Sequence, residues 1–211
     1  MGPRRQVMFP FFGDGIFTQD GLSWKHSREL LRPQFAQEQY EDLEVFCGPV
    51  DDLINALPNR GIVDLQPLFF RFTLDTTTAF LFGESVNSLR APESTSETTF
   101  ATAFNIAQDC LAKRMRLPTL SWLIGRKRFT KACEEVHRFV DQIIDRNLQN
   151  ENDRGRYVFL NSLAKETEDR TALRSHIINI LVAGRDTTAS LLTWTLYATS
   201  VICFRTSLKS A

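Results

Sequence analysis

The sequence has no surplus of charge of either sign. Its 25 Lys and Arg are matched by 25 Asp and Glu, so no overall field selects nucleic acid or an acidic ligand. Any electrostatic preference must come from local patches. Cysteine is sparse: Cys47, Cys110, Cys133 and Cys203 stand far apart, with no C-x-x-C pair. That argues against a zinc site or a disulfide framework and fits free thiols in a reducing compartment. Met1 opens no secretory signal, no internal repeat is visible, and strand signals are scarce. Long apolar runs are almost absent. Residues 187–204 carry no charge and reach the length of a spanning helix. Yet five threonines and two serines lie among them, and Arg185 and Asp186 stand directly before. The run reads as a helix buried in protein, which leaves the chain without an anchor of its own.

What is present is ordinary globular material. Hydrophobic residues make up 43% and charged residues 24%, which argues against a disordered chain, and the length allows one sizeable core or two small ones. Helical periodicity dominates. "DGLSWKHSRELLRPQF" predicts a helix entered through Asp20 or Ser23 and stopped by Pro33. "QEQYEDLEVFCGPVDDLINALPNRG" predicts one broken at Gly48-Pro49 and ended by Pro58. "VDLQPLFFRFTLDTTTAFLFG" predicts a mostly buried helix closing at Gly83. "ESVNSLRAPESTSE" and "ENDRGR" read as loop and turn. Further helices are expected over residues 98–113 and 126–149, then one unusually long helix over 169–202. The fold class is mainly α.

Residues 110–133 contain Lys113, Arg114, Arg116, Arg126, Lys127, Arg128 and Lys131 and no acid. Met115, Leu117, Leu120, Trp122, Leu123 and Ile124 lie between them. An apolar tip flanked by cations suits an anionic bilayer surface. The same pattern also fits a solvated basic loop with an apolar underside. No supporting basic face elsewhere points to nucleic acid.

Two short constellations carry chemistry. Trp24 and Arg28, at i and i+4, share a helix face. Both are donors only, which suits a carboxylate or phosphate, although such a pair is also a common surface cation–π contact. His26 between them reads as solvent-exposed. In "LVAGRDTTAS" (181–190), Gly184, Arg185, Asp186, Thr187 and Thr188 interrupt an apolar helix at a cost in propensity and burial. Gly184 leaves room for a close approach, Thr187 and Thr188 can open the helix ladder, and Asp186 can relay protons. Two helices meeting, with Gly184 ending one and Asp186 capping the next, is the alternative. The apolar periodicity on both sides favours one distorted helix.

"AGRDTT" (183–188) resembles the oxygen-activation segment of the cytochrome P450 haem-thiolate monooxygenases, A/G-G-x-D/E-T-T/S. "WKHSR" (24–28) resembles their upstream W-x-x-x-R helix. Around it, "GDGIFTQDGLSWKHSRELLRPQF" is similar to the fungal long-chain alkane and fatty-acid hydroxylases of that family. The likeness runs over about residues 13–196, within a single cytochrome P450 domain spanning 1–211. It implies the central part of that fold, incomplete at both ends. It implies haem as cofactor, with Trp24 and Arg28 donating to a propionate. Gly184 would pass close over the haem and Ala183 would border the substrate. Thr187 would steady dioxygen and its water, with Asp186 feeding the proton relay. Partners implied are an NADPH-cytochrome reductase and a hydrophobic small molecule, with possible membrane-surface contact through 113–131. The location implied is the cytosolic face of the endoplasmic reticulum membrane.

The family's axial cysteine stands in F-x-x-G-x-x-x-C. None of the four cysteines fits, because Leu43, Ile106, Phe129 and Thr199 stand where glycine is required. No metal ligand is therefore expected in this chain, nor are the family's downstream E-x-x-R pair, its anchor or its first sheet. The tail 198–211 does not follow the family pattern, as expected of a truncated gene model or a read-through past a splice site. The chain by itself is expected to be inactive. A non-catalytic helical remnant that binds membranes or other proteins is the second reading.

Overall fold

The structure is a computed structural model and describes residues 2–35, 43–90, 96–149, 159–167 and 169–209. Among them are eight α-helices and no strand. These are α1 (Pro3–Phe12), α2 (Gly21–Leu31), α3 (Glu44–Ala56), α4 (Leu65–Phe82), α5 (Ser96–Arg116), α6 (Arg126–Gln149), α7 (Phe159–Glu166) and α8 (Arg170–Lys209). Short 3-10 turns follow α2 (Arg32–Phe35) and α5 (Pro118–Leu123).

The core forms where apolar stripes meet. On α6, Phe129, Ala132, Cys133, Val136, Val140, Ile143 and Ile144 recur at helical spacing, and all are buried. They pack on α5, whose Phe100, Phe104 and Ala107 are fully buried, and the Phe100 and Phe139 rings stack at 4.2 Å. On the other side, α4 lies along α8. Local chemistry sets the limits of α4: Asp64 accepts from Gln66 N at 3.1 Å, and Gly83 ends the helix at φ 76°, its N–H donating to Ala79 O. Buried Asp75 then accepts from Ser88 N at 2.7 Å and Leu89 N at 3.1 Å, tying the following loop back onto α4. Burial pushes its carboxyl above the usual range, against the pull of those donors.

Three expectations are corrected. The Gly48-Pro49 break is absent: α3 runs through it, and Pro49 is buried. Tertiary packing there outweighs the lost hydrogen bond. The second half of α8 is not buried among the described residues. Leu191, Trp194, Tyr197 and Ile202 are each more than 60% exposed. No described helix is long and apolar enough to cross a membrane. Finally, α1 and α7 are helices that periodicity did not reveal; α7 is only eight residues long. The "ENDRGR" turn and residues 37–42 lie outside the described residues.

Candidate functional site

Residues 181–190 belong to one continuous helix, α8. Gly184 is not in a left-handed conformation, so it does not end a helix. Thr187 donates its hydroxyl to Ala183 O at 2.7 Å, the back-bond to the preceding turn that loosens a helix locally. Thr187 and Thr188 are exposed, while Ala183 is half-buried. Gly184 faces α4 instead: a Cβ there would lie 3.0 Å from Thr77 Oγ1 and 3.1 Å from Thr77 Cγ2. Within the described residues, the close approach that Gly184 permits is to Thr77.

Arg185, which sequence reasoning left without a role, is the centre of a polar cluster. Its guanidinium is buried in the join of α4, α5 and α8. Nε donates to Phe70 O at 3.3 Å, and Nη1 donates to Gln108 Oε1 at 2.6 Å and to Asp186 Oδ1 at 3.0 Å. Nη2 donates to Asn105 Oδ1. The cation also lies against the rings of Phe70 and Phe104. Gln108 closes the circuit by donating its amide to the Asp186 carboxylate. Burial pushes the Asp186 carboxyl up, opposed by Arg185 and Gln108, and the same burial pushes Arg185 down. A cleft of about 610 Å³ opens here, lined by Gln66, Phe70, Arg71, Thr102, Asn105 and Arg185 among others. The missed signal was Asn105 and Gln108, two amides at i and i+3 on one face of α5. A buried arginine needs such acceptors.

Trp24 and Arg28 do share a face of α2. The Arg28 guanidinium sits 5.6 Å from the Trp24 ring, both side chains are exposed, and no described carboxylate pairs with Arg28. His26 is exposed. In the basic segment, Arg114 is not a free cation. It is buried, donating to Ile124 O at 3.0 Å and lying 3.9 Å over the Phe129 ring. Burial lowers its pKa. Lys113 pairs with Asp109 at 2.6 Å. Leu117, Leu120, Trp122 and Leu123 point outward at about half exposure or more, so the tip is apolar on its outer surface rather than underneath.

Cys110 and Cys133 are buried, and burial holds the Cys133 thiol at about 12. Cys47 is exposed on α3.

A family model described as Cytochrome P450 matches residues 3–199. A "Cytochrome P450" of Arthroderma benhamiae is 47% identical, covering 88% of this chain and 39% of its own length. "Cytochrome P450 52A5" of Candida maltosa is 43% identical over 93% of this chain and 40% of its own. "Cytochrome P450 monooxygenase g430" of a Fusarium species is 41% identical over 92% and 38%. The chain thus spans about two fifths of the length of these curated relatives. With a match over nearly its whole length and the two motifs on α2 and α8 as described, the chain belongs to the cytochrome P450 family.

Proposed function

We propose that this chain forms the helical part of a haem monooxygenase that hydroxylates aliphatic C–H bonds of alkanes or fatty acids. The observation that carries the proposal is the face of α8 on which half-buried Ala183 and exposed Thr187 stand, next to half-buried Asp186 with its raised carboxyl pKa. Haem, when bound, supplies the redox chemistry that activates dioxygen. The donor set present fits its carboxylates: Trp24 and Arg28 offer only N–H groups, side by side on an exposed helix face. F-x-x-G-x-x-x-C, the pattern that carries the axial cysteine in the family, does not occur in this sequence.

On this reading Ala183 leaves space for the substrate and the Thr187 hydroxyl holds a water. Asp186, with its raised affinity for a proton, moves protons toward that water. Arg185 and Gln108 fix the carboxylate until it is needed. The outward apolar tip of Leu117, Leu120, Trp122 and Leu123, among exposed Arg116, Arg126, Lys127, Arg128 and Lys131, rests on an anionic membrane surface. We place that surface on the cytosolic side of the endoplasmic reticulum, where a reductase using NADPH delivers electrons.

The test is to express a relative-length protein carrying these residues and supply haem, reductase, NADPH and dodecane or dodecanoic acid. Hydroxylated product is expected, and product that is unaffected by Thr187→Ala would overturn the assignment.

A further inference from the structure

The cleft of about 610 Å³ between α4, α5 and α8 reaches Arg185 at its base. That volume lies within the roughly 300–1,000 Å³ usual for small-molecule sites. Arg185 is two positions from both Ala183 and Thr187, about 200° around the helix, so the cleft opens on the other side of α8. The proposed oxygen chemistry makes no use of it. On α4, Pro67, Phe70, Arg71 and Leu74 stand at i, i+3, i+4 and i+7, which is one helix face. Pro67, Phe70 and Leu74 make this wall apolar, and Ala101 of α5 adds to it. Donors border the apolar part. The Arg71 side chain is exposed, with no ion pair or hydrogen bond among the described residues. Thr102 and Asn105 face the cleft from α5, and both are exposed. Arg185 can only donate, so it engages the Asn105 oxygen and leaves the Asn105 NH2 without a described acceptor. No acid is found among the described cleft residues. Arg185 and Asp186, 3.0 Å apart, offset each other's charge, which leaves the single cation of Arg71 in excess.

We propose that this cleft is a binding site for a small aromatic monocarboxylate, separate from the haem chemistry. Arg71 receives the carboxylate, Thr102 and Asn105 donate to it from the facing wall, and the ring lies against Pro67, Phe70 and Ala101. The chemistry of the walls selects both parts of the ligand. A carboxylate matches one planar guanidinium in charge and in its two-pronged geometry. A phosphate dianion would bring a second charge that no further unpaired cation of the described lining meets. The flat body suits Phe70, which is half-buried and carries the Arg185 guanidinium 4.9 Å from its ring centre. Aromatic rings pack there in offset or edge-on contact. A neutral ring of the same shape keeps that contact but leaves Arg71 unpaired, so the charge decides the affinity.

The experiment titrates the purified chain calorimetrically with 2-naphthoate, 2-naphthol and 2-naphthyl phosphate, and follows the Asn105 side-chain amide by NMR. Naphthoate is expected to bind one to one and to shift the Asn105 amide. Naphthol should bind about tenfold or more weakly than naphthoate, and naphthyl phosphate should bind no more tightly than naphthoate. Arg71→Gln should weaken naphthoate by about tenfold or more, and Arg71→Lys should recover part of the loss. Arg138→Gln, which removes an exposed cation from α6, should leave binding unchanged. If Arg71→Gln does not fold, the Asn105 shift and the naphthol comparison in the parent still decide. Naphthoate binding that ignores Arg71→Gln, or that leaves Asn105 silent, overturns the site. Naphthol binding as tightly as naphthoate overturns the recognition of charge, and tighter binding of the phosphate overturns the choice of a carboxylate. No binding of any of the three overturns the inference altogether and leaves the proposed function untouched.

Discussion

Gln108 and Asp186 lie 78 positions apart in sequence and are joined by a hydrogen bond, the Gln108 amide donating to the carboxylate while its oxygen accepts from Arg185 at 2.6 Å. One side chain of α5 thereby holds both charges of α8 in place. A buried cation whose partners are removed is costly, and a half-buried carboxylate deprived of its cation adds to that by less, because water reaches it. Arg185→Leu should lower stability by about 3 kcal/mol, since it leaves Asp186 with Gln108 alone. Gln108→Leu should cost about 1–3 kcal/mol, because Arg185 keeps its other acceptors. Urea unfolding of the two variants orders them. If Gln108→Leu proves the more damaging, the cluster does not depend on the cation.

The remaining cost is electrostatic and has a sign. His137 on α6 is paired through Nε2 with Phe11 O at 2.9 Å, and burial lowers its pKa below the ordinary 6.5. Arg174 acts in the same direction, while the Phe11 carbonyl and Asp141 oppose. The folded-state pKa is depressed, so the contribution of the neutral ring is present above pH 6.5 and is lost as pH falls through the folded value. The urea midpoint should therefore fall on acidification from pH 7.5 to pH 5. The fall should be shallower in His137→Gln, because an amide at this position can donate without titrating. An identical slope in parent and variant would assign the acid sensitivity to other groups, His176 among them.

Sequence patterning identified what periodicity and punctuation control. The amphipathic stripe of α6 and the Asp64 and Gly83 limits of α4 were readable because each is a local matter of spacing or cap chemistry. Pro49 was misread because burial against a neighbouring helix is not written in the dipeptide. At the site, the continuity of the helix through residues 183–188 followed from the apolar periodicity on both sides. The orientation of Gly184 toward Thr77 and the clamp of Asn105 and Gln108 on Arg185 did not. Both are contacts between helices far apart in sequence, and a single sequence carries no record of such pairings.

The apolar tip after α5 makes a third expectation. Anionic vesicles should bind the chain, and salt should weaken the binding, as each cation near the surface contributes about 1 kcal/mol. Changing Trp122, Leu123 and Ile124 together to Ser should weaken it by roughly tenfold or more, since burial of even one such side chain is worth about 1.5 kcal/mol or more. Arg114→Gln should act differently. Arg114 is buried against Phe129, so its loss should reduce stability while leaving the salt dependence of binding nearly unchanged. Vesicle sedimentation across a salt series separates the two, and a binding curve indifferent to both salt and the Ser substitutions would make the segment a solvated loop.

Thr187 and Arg28 are assigned unlike tasks, and their variants in a relative-length protein should fail in unlike ways. Thr187→Ala removes a hydroxyl that now donates to Ala183 O and touches no described charge. Haem should therefore be retained, but electrons should be spent on peroxide in place of hydroxylated product, because the water that Thr187 steadies is no longer held. Arg28→Ala removes a cation whose present neighbour is the Trp24 ring. A charged hydrogen bond is worth about 1.5–3 kcal/mol, so haem retention should weaken by roughly 10- to 100-fold, with the ratio of peroxide to product little changed in the fraction that stays loaded. Haem loss to apomyoglobin measures the first quantity, and peroxide per NADPH consumed measures the second. If Thr187→Ala sheds haem while Arg28→Ala only raises peroxide, the two roles are exchanged. If neither variant departs from its parent in either measurement, the face formed by Ala183 and Thr187 is not where the chemistry occurs.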